Sequence, residues 1–224
     1  MKKFLNFKFL LIIIISIMGI FIFLNFGFNI SNSKTYSSLN SFKNNYYLYY
    51  EIDNINNSSR KNYIYTNTNY YNEYSILESN TTPNYMHQEE IDGKKNIEIK
   101  GINIETTSGN PEKKFFSENY EQNLEISSKT NEYVYTNKLQ DLYNLIENTQ
   151  YYKKGYCKID SIKYYYEEFK LKDNSKIKFY FENNDLKQIE QSNSNIIYKN
   201  INLQQNINKT EFEKAKNKFQ NFNE

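Results

Sequence analysis

From Phe9 to Leu24 every residue is apolar, Ser or Gly, and Phe26 and Phe28 carry the run past Asn25 to Phe28. Sixteen uninterrupted residues leave a helix no polar side to turn to water, so the run does not read as a core helix of a soluble domain. Its full length suits a hydrocarbon layer about 30 Å thick. Lys2, Lys3 and Lys8 precede the run and the next lysine is Lys34. That asymmetry places the N-terminus in the cytoplasm and the chain after Asn29 outside. Residues 9–28 therefore read as an uncleaved signal anchor, which makes the protein a single-pass component of the cell membrane with its C-terminal domain outside the cytoplasm. A cleaved export signal is the alternative, with Ser31-Asn32-Ser33 as its one candidate site. No Cys stands at the end of the run to take a lipid.

Of 28 basic and 26 acidic residues, three lysines lie before the run, which leaves 25 against 26 for the remainder. So balanced a chain lacks the clustered cations that displace counterions from phosphate, and nucleic acid is set aside as a partner. One Cys and one His exclude a disulfide framework and any Cys/His zinc centre, and no cofactor is expected. The mean hydropathy of −0.84 reflects Asn and Lys, while 23 Tyr and 16 Phe supply enough bulky apolar surface for a core. Arg60 is the only arginine and Ala215 the only alanine, a bias of the kind an AT-rich genome imposes.

Past the anchor (residues 1–29), residues 30–45 read as a linker and a short helix, with Tyr36, Leu39 and Phe42 at spacing three. The period then changes to two. Tyr46 to Ile52, Tyr63 to Thr66, Tyr70 to Leu77, Asn96 to Lys100 and Ile102 to Thr106 are aromatic or β-branched pieces divided by Asn, Ser and Gly clusters. Thr107 to Lys129 is irregular and reads as a long loop or a poorly formed strand pair. Leu139, Leu142, Tyr143 and Ile146 lie at i, i+3, i+4 and i+7, which predicts a helix over Asn137 to Thr149 capped by Thr136 or Asn137. A meander follows, from Tyr156 to Leu203, with Lys172-Asp173-Asn174-Ser175 and Glu182-Asn183-Asn184-Asp185 as tight turns. The expected class is α+β: an N-terminal transmembrane helix, then one curved antiparallel sheet, a half-barrel over residues 46–212, with a short N-terminal helix and a central plug helix. Phe212, Ala215, Phe219 and Phe222 lie at helical spacing over Thr210 to Phe222, and residues 213–224 are expected as a frayed C-terminal helix.

His87 and Cys157 lack the local signature of a base and nucleophile, and the chain reads as no enzyme. Glu89-Glu90 and Glu167-Glu168 are adjacent pairs, whose members point to opposite faces of a strand, so neither pair is itself a two-carboxylate site. Each pair is expected to place one Glu on the wet face and one at an edge. The tyrosine runs say more, because they set rings on both faces of the sheet. Tyr47, Tyr49, Tyr164 and Tyr166 are the candidate ligand or partner face; compositional bias is the alternative source of the same runs.

The order of these pieces, together with Asp92-Gly93-Lys94-Lys95 before an alternating strand and the closing Tyr198-Lys199-Asn200-Ile201-Asn202-Leu203, resembles the LolA-like lipoprotein-carrier superfamily. Within it the chain is similar to the germination lipoprotein (GerS-like) branch of spore-forming bacteria, from which it departs in having no lipid-attachment Cys. The resemblance implies a half-open β-barrel plugged by helices, and a non-enzymatic binding protein for a hydrophobic ligand or an envelope partner. A germination or cell-wall accessory protein that holds a peptidoglycan hydrolase, and an envelope sensor or regulator, are the alternatives.

Overall fold

The computed structural model describes residues 33–42, 45–53, 59–107, 110–147, 149–192 and 196–222. The expected membrane run at 9–28 lies outside the described residues. Among those described, no helix is long and apolar enough to cross a membrane. They form one antiparallel sheet of eleven strands that does not close, with three helices.

In chain order the elements are α1 Lys34–Asn40, β1 Tyr46–Asp53, β2 Ser59–Asn67, β3 Tyr70–Leu77, β4 Asn84–Ile91, β5 Lys94–Thr107 and β6 Asn110–Asn123. Then come α2 Lys138–Glu147, β7 Gln150–Ile159, β8 Ile162–Lys170, β9 Lys176–Glu182, β10 Asp185–Gln191, β11 Ile196–Gln204 and α3 Lys209–Gln220. Across the sheet the order is β6-β5-β4-β3-β2-β1-β11-β10-β9-β8-β7. Two hairpin meanders are thus joined where β1 pairs with β11, with Leu48 opposite Leu203 and Tyr49 opposite Asn202.

Tight turns set the register. Asp160 and Ser161 between β7 and β8 (φ 48° and 71°), and Asn183 and Asn184 between β9 and β10 (φ 49° and 87°), pair two left-handed residues. That backbone matches the twist of the flanking strands, and Asn and Asp tolerate it best after Gly. Gly93 follows Asp92 at φ 77°, a backbone conformation that favours glycine, and a Cβ there would also displace the exposed Tyr133 ring, which lies 2.4 Å from its position.

Period-two alternation divides the side chains between two faces. On the first, Tyr46, Leu48, Ile64, Tyr71, Phe169, Phe179 and Phe181 pack with Leu39 of α1 and with Leu139 and Ile146 of α2. On the second, Tyr47, Tyr63, Tyr74 and Ile76 pack with Phe212, Ala215 and Phe219 of α3. The expected central helix is present at Lys138–Glu147, with Leu139, Tyr143 and Ile146 buried and Leu142 half-buried against the same cluster. Its start is fixed by Asn137, whose side-chain oxygen accepts from the Gln140 N–H at 3.0 Å.

Three segments differ from the sequence reading. The expected irregular stretch from Thr107 to Lys129 instead takes in the end of β5 at Thr107 and all of β6, a fourteen-residue edge strand paired along the whole of β5. Nearly all of β6 is exposed on both sides, so no face had to be apolar and no alternation marks it. Pro111 is tolerated there because an edge strand can spare the N–H. Strand β4 was not anticipated, since its first-face residues Gln88 and Glu90 are buried yet polar. The C-terminal helix spans Lys209–Gln220, close to the expected Thr210 to Phe222, but is packed rather than frayed: Asn208 caps it, and Phe212, Ala215 and Phe219 are buried.

Candidate functional site

The first face holds an open cleft of about 1330 Å³ between α1 and the β8 to β11 half of the sheet. Its floor is apolar, from Tyr165, Phe181, Leu186, Ile201 and Leu203, while Ser37, Ser38, Ser41 and Phe42 come from α1 and its C-terminal end. Ammonium groups stand at the rim. The Lys34 Nζ lies 5.3 Å from the Tyr165 ring centre and 4.9 Å from that of Phe181, and donates to the Asn184 Oδ1 at 2.8 Å. The Lys163 Nζ lies 4.6 Å above the Tyr156 ring. A cation over an aromatic face is attracted by the ring quadrupole, so these lysines also hold the rings in place.

Glu167 builds the cleft wall. Its carboxylate, 2 % exposed, accepts from the Lys34 N–H at 2.9 Å, the Thr35 N–H and hydroxyl at 2.8 Å each, and the Tyr165 hydroxyl at 3.0 Å. One side chain of β8 therefore satisfies the start of α1 and orients the central ring of the floor. Glu90 does the matching work on the other meander. It accepts from the Thr136 N–H at 2.6 Å, the Thr136 hydroxyl at 2.5 Å and the Gln88 amide at 2.8 Å, with the Lys95 ammonium at 3.4 Å. Thr136 is thereby tied to the sheet and Asn137 is left to cap α2. The expectation of one wet-face and one edge Glu in each pair is corrected: Glu90 and Glu167 are buried anchors for helices. Glu168, also buried, pairs with Lys176 and Lys178 on the second face, and Glu89 accepts from the Tyr70 hydroxyl.

Among the described residues no family chemistry announces itself at this cleft, and no protein-family model matches the chain, nor does any curated protein sequence.

Tyr164 and Tyr166 share a face and Tyr165 takes the other, as period two requires. The ring that turns to the cleft is Tyr165. Tyr164 and Tyr166 lie on the second face, each 6.3 Å from the Tyr180 ring, with the Lys178 ammonium 5.2 Å from Tyr166. Burial and the hydrogen bond to Glu190 push the Tyr180 phenol far above its ordinary range. Tyr47 and Tyr49 are on the same second face. Tyr47 is fully buried in the cluster under α3, and the Tyr49 ring lies tilted 5.0 Å from Tyr63 while its hydroxyl bonds to Glu51. The four candidate tyrosines thus fall on one side of the sheet, but none lines the cleft. A signal for the cleft residues was present in β8, where Tyr165 alternates in step with Phe169 and Leu171, whereas Tyr164 and Tyr166 are in step with Glu168 and Lys170.

His87 and Cys157 stand on β4 and β7, at well-separated places in the strand order, so they form no dyad. Burial raises the Cys157 thiol above its ordinary range, the opposite of what an activated nucleophile needs. Among the described residues, no group of three His, Cys, Asp or Glu side chains is placed to hold a metal ion.

Proposed function

We propose that this chain is a membrane-anchored, extracytoplasmic binding protein without catalytic activity, which holds a hydrophobic ligand or an apolar segment of an envelope partner in the cleft beside α1. The observation that carries the reading is the cleft itself: about 1330 Å³ of open space over an aromatic and aliphatic floor, rimmed by polar groups and walled by a helix that a buried carboxylate holds in place. An apolar floor under a rim of Lys, Ser and Asn groups offers an amphiphile separate places for its chain and its headgroup. The unclosed eleven-stranded sheet with α1 and α2 against its first face supports the LolA-like resemblance and a half-barrel shape, α3 packs on the opposite face, and the apolar run at 9–28 supports the anchor. A second reading, an accessory protein that holds a peptidoglycan hydrolase, draws on Tyr164 and Tyr166, half-buried rings of the second face that rest on the buried Tyr180.

Native mass spectrometry of the full chain, purified from its own membrane in mild detergent, tests the first reading. The expected spectrum contains a species heavier by one amphiphile. Tyr165→Ala with Phe42→Ala removes two aromatic contacts from the cleft and should reduce that species about tenfold or more. Equal retention by wild type and the double variant, or no bound species in either, would overturn it.

A further inference from the structure

Tyr74 of β3, His87 of β4 and Phe219 of α3 form a ring cluster on the second face. The His87 ring lies 4.4 Å from that of Tyr74, its register partner, at an interplanar angle of 7°. It lies 5.5 Å from the Phe219 ring, and Tyr74 also packs on Phe212 at 5.2 Å and on Phe219 at 5.8 Å. The imidazole is therefore part of the seat on which α3 rests. Its Nε2 is buried and meets no hydrogen-bond partner among the described residues.

We propose that His87 makes the docking of α3 pH-sensitive: the neutral imidazole packs as an aromatic plate, and its protonation on mild acidification loosens α3 and uncovers Tyr47, Tyr63 and Tyr74. A charged ring whose nitrogen is sealed in an aromatic contact loses hydration with no hydrogen bond in return. The surrounding charges do not reverse this. Glu89 on β4 and Glu98 on β5 favour the imidazolium, but Glu98 is engaged by Lys100 at 3.1 Å and Glu89 by the Tyr70 hydroxyl at 3.0 Å. Lys100 on β5 and Lys216 on α3 oppose it, and Tyr74 on β3 stays neutral because burial raises its phenol. Burial is the largest influence, and it holds the His87 imidazole below its ordinary range.

The sign follows. Well above about pH 6.5, docked and undocked forms are both neutral and the full docking free energy is present. As pH falls through the ordinary histidine range, the undocked form takes the proton first and docking weakens, until the lower value of the docked form is passed.

The chain has one histidine, so its ring resonances in the full chain, kept in detergent solution, are unambiguous. NMR titration should give a midpoint below 6.5, and hydrogen exchange should show the protection of α3 amides falling severalfold between pH 7.5 and 5.5, with about tenfold as the ceiling for one proton. Protection in β8 to β10 should hold constant, and His87→Phe should remove the dependence. A midpoint at or above 6.5, or the same pH dependence of α3 in His87→Phe, overturns the proposal. If His87→Phe does not fold, the wild-type midpoint decides alone.

Discussion

Leu139→Ala combined with Ile146→Ala should abolish the cooperative unfolding transition of the sheet domain. Both side chains are nearly sealed, at 2 % and 0 % exposure, and they join α2 to the buried first-face cluster that includes Phe169, Ile177 and Phe179. Removing a buried aliphatic side chain costs about 2–5 kcal/mol through lost transfer free energy and the cavity left behind. A domain of this kind is stable by about 5–15 kcal/mol, so the pair removes a large share of the total. Differential scanning calorimetry reads the outcome, and a Tm within a few degrees of wild type would show that α2 is not integral to the core. Leu142, only half-buried, should cost less than Ile146 when changed alone.

The second large effect is expected at Glu167. In Glu167→Ala the Lys34 and Thr35 N–H groups and the Thr35 hydroxyl lose their acceptor, and Thr35 is itself fully buried. A buried donor left unpaired costs about 1–3 kcal/mol, and the stabilisation of the helix start by a negative charge goes with it. We expect about 3 kcal/mol overall, a Tm lower by several degrees, and loss of hydrogen-exchange protection in α1. Glu167→Gln, which keeps one acceptor oxygen, should fall between. Unchanged protection of α1 in Glu167→Ala would contradict the role assigned to this carboxylate.

Much of the fold was legible because local chemistry and tertiary structure agree. Asn183-Asn184 and Asp92-Gly93 are turn formers at turns, and the i, i+3, i+4, i+7 pattern around Leu139 is a buried helix face. What was not legible depends on partners distant in sequence. Gln88 and Glu90 look like surface residues until Thr136 and Lys95 are brought to them, which is why β4 escaped notice. Strand β6 has solvent on both sides and so carries no alternation. The cleft is assembled from α1, β7, β8, β11 and the turn between β9 and β10, and Lys34 meets Asn184 only once α1 has docked on the second meander. Tyr165 was separable from Tyr164 and Tyr166 by period alone, but which set faces the cleft depends on where α1 docks, and Glu167 decides that.

Photocrosslinking with a diazirine-bearing fatty acid tests the central claim most directly. The full chain in lipid nanodiscs is irradiated with the probe, digested, and mapped by tandem mass spectrometry, with excess unlabelled oleate as competitor. Adducts that the competitor removes should fall on the cleft, at Phe42, Tyr156, Tyr165 or Leu186. Adducts confined to the second face, at Tyr47, Tyr49, Tyr164 or Tyr166, or labelling that oleate leaves unchanged, would contradict a ligand site beside α1.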